Sequence, residues 1–343
     1  MAQNKRIVTF GEIMLRLQPF GHRRILQADR YEAVFGGGEA NVAVSLAQMG
    51  ECVSYLTKLP DNAVAQRCVN ELRGWGVDVS AIVRGGERMG IYYCEKGAGP
   101  RGSVVVYDRA HSAFCEMTAD EIDPRVLDDA QWLHFTGISP AVSDTAAQTT
   151  ARLLEAARAR GVTVSCDLNY RNKLWSKDKA RRVMSDLMRY VDVLISNEED
   201  CKDVFGIAAA NSDVTRGELD ADAYAALADR VREMFPNISK VAFTLRESIS
   251  ASVNRWSGIL CDGDGCYRSA KYTIQIVDRV GGGDSFGAGL IYALTNGYDA
   301  QHAIDYAVAA SALKHTVEGD FNVASVAEIE KLCKGDGSGR VQR

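Results

Sequence analysis

One stretch around residue 280 constrains the fold more than any other. A run rich in β-branched residues at 272–277 leads to three consecutive glycines, and a helical pattern of apolar residues follows them. This order predicts a strand, a turn that tolerates positive φ, and the N-terminus of a helix. Glycine amides without side-chain obstruction and the unpaired amides of a first helical turn attract anions. The stretch therefore predicts a phosphate-binding loop.

An aspartate follows the glycines directly. The positive field of the helix N-terminus is expected to keep this carboxylate ionised at neutral pH, so that it can accept a proton from a hydroxyl group beside the anion. An anion site next to a base indicates phosphoryl transfer. The alternative without a catalytic role is a flexible turn whose aspartate caps the N-terminus of the helix. The candidate catalytic residues are Asp284, Gly281, Gly282 and Gly283.

The same stretch allows a second chemistry. Residues 283–287 match the Gly-x-Ser-x-Gly pattern of a serine hydrolase, with Ser285 as the nucleophile and Asp299, Asp305 and His315 following in the required order. A nucleophile elbow joins its strand directly to the serine, whereas three glycines intervene here. The chain also has no His-Gly-Gly segment to form an oxyanion loop. The pattern therefore favours a kinase over a hydrolase.

Composition narrows the class of protein further. The chain has 343 residues, of which 46% are hydrophobic, which is enough for one large α/β domain or two smaller ones. Its net charge of −5 argues against a nucleic-acid or membrane surface, and an acidic substrate would need a local arginine cluster. The nine cysteines form no CxxC motif and are predicted to be buried thiols. Since no signal peptide or membrane span is apparent, we expect a cytoplasmic protein.

Strand and helix patterns alternate along most of the chain, which predicts a parallel sheet covered by helices. The predicted strands are 6–11, 52–57, 132–135, 162–166, 191–195 and 240–245, and the predicted helices include 143–160, 177–189, 197–205, 219–235, 285–296, 300–316 and 325–333. Two strand patterns at 90–95 and 103–108 interrupt the series and predict an inserted antiparallel hairpin. No linker is long enough to separate two domains.

A second glycine segment, Gly36-Gly37-Gly38-Glu39-Ala40-Asn41, also leads into a helical pattern. With the Gly-Gly-Gly-Asp loop, it resembles the two signatures of ribokinase-like (PfkB-type) carbohydrate kinases. Shorter matches at 10–17, 105–110, 167–171 and 319–322 are similar to 2-keto-3-deoxygluconate kinases. The resemblance covers the whole chain.

For the fold, the resemblance implies a single α/β domain over 1–343 with a three-layer α/β/α core. It also implies a small discontinuous β-sheet lid from about 12–35 and 89–112. The inserted hairpin then has a purpose, because a lid that closes over the sugar excludes water from the reaction.

For the sugar, the resemblance implies contacts from both ends of the chain. The residues concerned are Gly37, Gly38, Asn41, Tyr107, Arg109, Arg171 and Asp320. Arg171 follows a strand end, and a guanidinium can hold a carboxylate through two parallel hydrogen bonds. With Arg109 at the base of the lid, it would form the cationic cluster that an acidic substrate needs. The alternatives are an ion-paired surface arginine and a neutral sugar, since fructokinase-type relatives carry a similar Asp-x-Asn-x-Arg.

For the nucleotide, the resemblance implies ATP with Mg²⁺. The residues assigned to ATP are Asn169, Asn197, Thr244, Arg246, Gly281 and Gly283, and those assigned to Mg²⁺ through water are Glu199 and Asp200. The two acids are equally natural at a helix N-terminus without a metal. Arg246 stands where the family usually has glycine. Asp278 resembles a ligand of the K⁺ site of some relatives, so K⁺ is a possible cofactor. The chain contains no Gly-Lys dipeptide and hence no Walker A loop.

These observations predict an Mg-ATP-dependent kinase that phosphorylates 2-keto-3-deoxygluconate on its 6-hydroxyl group. Fructokinase or another neutral-sugar kinase is the main alternative, and a serine hydrolase and a sugar sensor without catalysis are more distant ones. Because exposed lid strands tend to find a partner, we also expect a homodimer or higher homo-oligomer through the lid.

Overall fold

The computed structural model describes residues 6–207 and 221–337. Its strands are β1 (Arg6–Phe10), β2 (Met14–Pro19), β3 (Tyr31–Gly36), β4 (Val53–Leu56), β5 (Lys58–Leu59), β6 (Val83–Arg84), β7 (Ile91–Glu95), β8 (Val104–Asp108), β9 (Ala130–Thr136), β10 (Thr163–Asp167), β11 (Val193–Ser196), β12 (Lys240–Ser248), β13 (Val253–Cys261), β14 (Cys266–Arg268) and β15 (Tyr272–Gln275).

The α-helices are α1 (Gly38–Gln48), α2 (Ala63–Gly74), α3 (Ile138–Ala141), α4 (Asp144–Ala159), α5 (Lys177–Met188), α6 (Glu198–Phe205), α7 (Ala221–Met234), α8 (Gly282–Thr295), α9 (Ala300–Lys314) and α10 (Val326–Cys333). Short 3-10 helices occur at Ile25–Gln27, Phe114–Glu116, Ala119–Glu121 and Pro124–Leu127. Of the predicted helix 219–235, the first two residues lie outside the described residues.

The central sheet has the strand order β14-β13-β12-β11-β10-β9-β1-β4, and β15 pairs with β13 beside β14. From β4 to β12 each pair of neighbours is parallel, whereas β13 runs antiparallel to β12. Parallel neighbours need crossover connections, and the helices between the strands supply them. The carboxyl ends of these strands share one edge, which is where α/β proteins bind ligands.

Helices cover both faces of this sheet. On one face Phe286 and Ile304, from α8 and α9, belong to one buried cluster, and on the other Leu154 and Met184, from α4 and α5, belong to a second. Burying one apolar face of each helix against the sheet stabilises both layers. The predicted three-layer α/β/α arrangement is confirmed.

A second, small sheet has the order β3-β2-β7-β8, and its strands come from residues 14–36 and 91–108. β7 and β8 form the predicted antiparallel hairpin. Met14 and Tyr92 form a small buried patch on this sheet with Cys94. β8 is one of the two edge strands, and its Val104 and Val106 are exposed.

Two predictions about local structure were wrong. Helix α8 begins at Gly282, three residues earlier than predicted, so two of the three glycines belong to its first turn. Cys261 and Cys266 face each other across β13 and β14 and form a disulfide, whereas the other seven cysteines are free. Within residues 6–207 and 221–337, no helix is long and apolar enough to cross a bilayer.

Candidate active site

A cavity of about 560 Å³ lies between the carboxyl ends of the central strands and the small sheet. All the predicted site residues line it, namely Gly37, Gly38, Asn41, Tyr107, Arg109, Asn169, Arg171, Asn197, Glu199, Asp200, Thr244, Arg246, Gly281, Gly282, Gly283, Asp284 and Asp320. The two glycine signatures therefore meet in one place.

The glycine turn at the start of α8 presents free amides. Gly281 has a φ of +83°, and a Cβ atom there would lie 2.1 Å from the carbonyl oxygen of Asp320, so only glycine fits. The first helical bond runs from the Ser285 amide to the Gly281 carbonyl oxygen over 2.9 Å. The amides of residues 282–284 are thus left without a helical partner at the positive end of α8. We call residues 281–284 the anion cradle.

Asp284 connects the two signatures. Its Oδ2 accepts a 2.7 Å hydrogen bond from Nδ2 of Asn41, which lies 243 positions away in the sequence. Gly38 lies on the other side of the carboxylate, where an added Cβ would be 3.5 Å from Oδ1. Burial raises the pKa of Asp284 to about 6, which the hydrogen bond from Asn41 opposes. At pH 7 most of the carboxylate is therefore ionised and can act as a base.

Ser285 cannot serve as a nucleophile in this arrangement. Its side chain is fully buried, and its Oγ donates a 2.8 Å hydrogen bond to the Gly281 carbonyl oxygen. Nδ1 of His315, the predicted base of a hydrolase, bonds to the carbonyl oxygen of Ser311 instead. Because α8 begins at Gly282, the serine lies inside the first turn and faces the protein interior. The hydrolase alternative is wrong.

Arg171 is an uncompensated cation in the cavity. It follows β10, its side chain is exposed, and its Nη1 donates to the Tyr170 carbonyl oxygen over 2.9 Å. Among the side chains that the structure describes, Arg171 forms no ion pair with a carboxylate. It lines the same cavity as Asp167, Asp200 and Asp284, and its charge opposes the burial that raises the pKa values of these three aspartates.

Arg109, the second arginine assigned to the sugar acid, already has a partner within the protein. Its guanidinium is buried and forms an ion pair with Glu12, through Nε over 2.9 Å and also through Nη2. Glu12 also accepts a hydrogen bond from Ser112. Arg109 lines the cavity, but Glu12 neutralises its charge. Of the two arginines assigned to the sugar acid, Arg171 is therefore the one without an ion-pair partner among the described side chains.

Asp320 is also engaged within the protein. Its Oδ1 accepts from Arg16 over 2.6 Å and its Oδ2 accepts from the Tyr92 hydroxyl over 2.5 Å. The second arm of the fully buried Arg16 bonds to Asp278 over 2.7 Å. Asp320 therefore links the small sheet to the core, rather than offering an unoccupied carboxylate to the sugar. Asp278, which resembles a K⁺ ligand of some relatives, accepts this bond from Arg16.

At the other end of the cavity, Asn197 caps α6. Its Oδ1 accepts from the Asp200 amide over 2.8 Å, while the buried Asp200 carboxylate accepts from the Tyr170 amide over 3.2 Å. Glu199 is exposed. Burial raises the pKa of Asp200 to about 6, and burial with the charges of Asp200 and Asp284 raises the pKa of Asp167 to about 8. These carboxylates therefore repel one another.

This oxygen-rich corner is suited to a hard cation that arrives with other ligands. In residues 6–207 and 221–337, no group of three or more His, Cys, Asp or Glu side chains is arranged to hold a metal alone. Mg²⁺ commonly uses one or two carboxylates together with waters and substrate phosphates. Mutual repulsion between Asp167 and Asp200 would be relieved by such a cation, so the residues fit it.

Comparison with known proteins decides the family. Residues 4–325 match the model of the pfkB family of carbohydrate kinases. The chain belongs to this family. It is 35% identical over 333 residues to 2-dehydro-3-deoxygalactonokinase of Haloferax volcanii, covering 97% of this chain and 98% of that protein. It is 28% identical to 2-dehydro-3-deoxygluconokinase of Thermoproteus tenax, covering 96% and 94%.

The solved structure of 2-dehydro-3-deoxygluconokinase from Thermotoga maritima is also similar. It superimposes with a TM-score of 0.93 at 48% identity, covering 96% of this chain and all of that one. The predicted ribokinase-like fold and carbohydrate-kinase class are therefore confirmed. This pfkB-family chain is an enzyme that is similar to the 2-dehydro-3-deoxygluconokinases.

Some cavity residues of this kinase had no predicted role. Glu12 and Asp167 lie inside motifs that the sequence singled out, but the resemblance assigned their neighbours instead. Glu39 is buried in the first turn of α1, where its Oε1 accepts from the hydroxyls of Thr136 and Ser139. Burial raises the pKa of Glu39 to about 7. Glu12 and Glu39 each follow a glycine, and Asp167 ends a buried strand, which are the sequence signals that mark them.

Proposed function

We propose that the enzyme transfers the γ-phosphoryl group of Mg-ATP to the 6-hydroxyl group of 2-keto-3-deoxygluconate, which is the same compound as 2-dehydro-3-deoxygluconate. The observation that carries this substrate class is the guanidinium of Arg171, which lines the cavity and has no ion-pair partner among the described side chains. A sugar acid supplies the carboxylate that this arginine lacks. The names of the similar kinases from Thermoproteus tenax and Thermotoga maritima support the same acceptor.

The geometry suits in-line transfer. Asp284 accepts the proton of the 6-hydroxyl group, and the hydroxyl oxygen forms a bond to the γ-phosphorus. The bond from that phosphorus to the β–γ bridging oxygen breaks, and its electron pair leaves with ADP. The amides of residues 282–284 stabilise the negative charge on the transferred phosphoryl oxygens. The small sheet covers the cavity and keeps out competing water.

Mg²⁺ would be held near Asp200 and Asp167, with Asn197 fixing the position of Asp200. When bound, the ion neutralises charge on the phosphates. Asp167 and Asp200 would balance the positive charge of the ion at this end of the cavity. Asp284 has a separate role as the base in the anion cradle.

The substrate is tested by measuring ADP release across a panel of 2-keto-3-deoxy sugar acids, ketoses, pentoses and nucleosides. We expect the highest kcat/KM with 2-keto-3-deoxygluconate. Its C4 epimer, 2-keto-3-deoxygalactonate, is a second candidate because the similar Haloferax volcanii kinase is named for it. A clear preference for fructose or ribose would contradict the proposal and support the neutral-sugar alternative.

Arg171→Ala is expected to raise KM for the sugar acid roughly 10- to 100-fold, the value of a hydrogen bond to a charged group. KM for a neutral sugar such as fructose should change by no more than a few-fold, because no carboxylate is present. Steady-state kinetics with both sugars measure the difference. Lys173→Ala is the control, since Lys173 is exposed nearby and does not line the cavity. Equal changes in KM for both sugars would contradict the assignment.

The pH dependence follows from Asp284, whose pKa is raised to about 6. The base must be deprotonated, so kcat/KM should fall roughly tenfold per pH unit below about pH 6 and level off above it. Asp200 has a similar pKa of about 6, so Asp200→Asn is the control. The acidic limb should persist in this variant at a lower overall rate. If kcat/KM of Asp200→Asn no longer fell at low pH, the acidic limb would belong to Asp200, which would contradict the prediction.

We also propose a homodimer or larger homo-oligomer formed through the small sheet, in the cytoplasm. The exposed edge strand β8, with Val104 and Val106 outward, supports such a contact, since unpaired edges tend to find partners. The seven free cysteines support a reducing compartment, whereas the Cys261–Cys266 disulfide does not.

A further inference from the structure

Two further arginines that line the cavity, Arg246 and Arg279, have no acidic partner among the described side chains. Arg246 lies on β12 with an exposed side chain, and Arg279 lies just before the anion cradle with a half-buried side chain. Both line the cavity. Within the described part of the chain, neither forms an ion pair with a carboxylate. By contrast Glu247, the neighbour of Arg246, already pairs with Lys271 and Arg255 away from the cavity.

Arg279 is held in place by neutral groups. Its Nη2 donates to the carbonyl oxygens of Ser250 and Ala251 over 3.4 and 3.2 Å. These bonds fix the side chain of Arg279 against the 250–251 turn without neutralising its charge. Partly burying an arginine without an ion-pair partner costs free energy, and a bound anion would offset that cost.

The surrounding charges add to this cost. Burial and the nearby charge of Arg246 both lower the pKa of Arg279, so the two guanidinium groups repel each other. Burial, with a contribution from the charges of Lys314, Arg279 and Arg246, lowers the pKa of His315 to about 4. His315 is therefore neutral at pH 7. Lys314 lies closer to Asp278 and Asp320, whose charges act on it most strongly.

We infer that Arg246 and Arg279 form a second anion site that holds the β-phosphate of the nucleoside triphosphate, beside the cradle that receives the γ-phosphate. This inference rests on the proposed function and assigns its donor side. Arg279 lies two positions before Gly281, the first residue of the anion cradle. A phosphate held between the two arginines would therefore adjoin the phosphate held in the cradle. Negative charge moves onto the β-phosphate as the phosphoryl group departs, and the arginines stabilise it there.

The assignment also explains how the enzyme works without a Walker A lysine, since the chain contains no Gly-Lys dipeptide. Two guanidinium groups offer planar pairs of donors that match phosphate oxygens, which a single ammonium group does not.

Calorimetric titration with ADP and with adenosine, in the absence of sugar, tests the inference. We expect Arg246→Met and Arg279→Met each to weaken ADP binding at least ~10-fold, the value of a charge-assisted hydrogen bond. Adenosine binding should stay within about twofold, because adenosine has no phosphate for the arginines to contact. In turnover, both variants should lower kcat as well as raise KM for ATP, because the arginines act on the leaving group. Arg279→Lys should fall between wild type and Arg279→Met.

Arg255→Met is the matched control, because Arg255 lies on the adjacent strand β13, is exposed, and does not line the cavity. Unchanged ADP affinity in Arg246→Met would overturn the inference, and this exposed position is not expected to disturb folding. Equal losses for ADP and adenosine would also overturn it, since they would indicate a distorted loop. ADP binding needs no acceptor, so failure of the sugar-acid panel would leave this result standing, and the reverse also holds.

Discussion

Asp284→Asn is expected to reduce kcat at least ~100-fold while leaving the affinities for the sugar acid and for ADP within a few-fold of wild type. Asparagine has nearly the same shape, and its Oδ1 can accept the hydrogen bond that Asn41 now donates to Asp284. The cradle amides stay in place because they belong to the backbone of α8. Only the ability to accept a proton is lost, so the change appears in turnover rather than in binding.

Phosphorylated product is measured at saturating sugar acid and ATP, and ADP affinity is measured separately by calorimetry. Ser285→Ala is the control in the adjacent position, since the Ser285 hydroxyl is buried against the Gly281 carbonyl oxygen. It should keep turnover within a few-fold of wild type. Turnover of Asp284→Asn close to that of Ser285→Ala would remove Asp284 from the role of base.

The parts of the site that the sequence predicts are those fixed by local backbone requirements. Gly281 needs positive φ and room for the Asp320 carbonyl, and no other residue type meets both conditions. Gly37 likewise has no space for a Cβ atom beside the Glu12 carbonyl oxygen. Such requirements produce runs of glycine that can be recognised in a single sequence. The strand before each run and the helix after it indicate that the turn lies at the carboxyl end of a strand.

The charge pairings could not be predicted in this way. Arg109 was expected to be free, but Glu12, 97 positions earlier, neutralises it. Arg16 pairs with acids 262 and 304 positions away. The local sequence pattern does not distinguish an arginine that binds a substrate from one that forms an ion pair within the protein. The partner is distant in the sequence and becomes a neighbour only in the folded chain. The Cys261–Cys266 disulfide was missed for a similar reason, since the register of a hairpin places the two side by side.

Arg16→Met is expected to lower the free energy of unfolding by about 3–5 kcal/mol, the usual cost of removing one partner from a buried ion pair. Arg16 is fully buried between Asp278 and Asp320, and the side chains of both aspartates are 2% exposed. Without the guanidinium, two negative charges remain close together in the interior. Lys96, 3.8 Å from Asp278, compensates for them only in part. Urea denaturation followed by circular dichroism measures the change.

Arg23→Met is the matched control, because Arg23 belongs to the loop between β2 and β3 and pairs with Asp29 at an exposed site, where such pairs contribute at most about 1 kcal/mol. Adding Asp278→Asn and Asp320→Asn to Arg16→Met should restore much of the stability, since the unpaired charges are then gone. An Arg16→Met variant as stable as Arg23→Met would show that the pair does not join the small sheet to the core. If the triple variant recovers stability but still has a raised KM for the sugar acid, the group of Arg16, Asp278 and Asp320 also contributes to sugar binding, because a loss of stability cannot then account for weak binding.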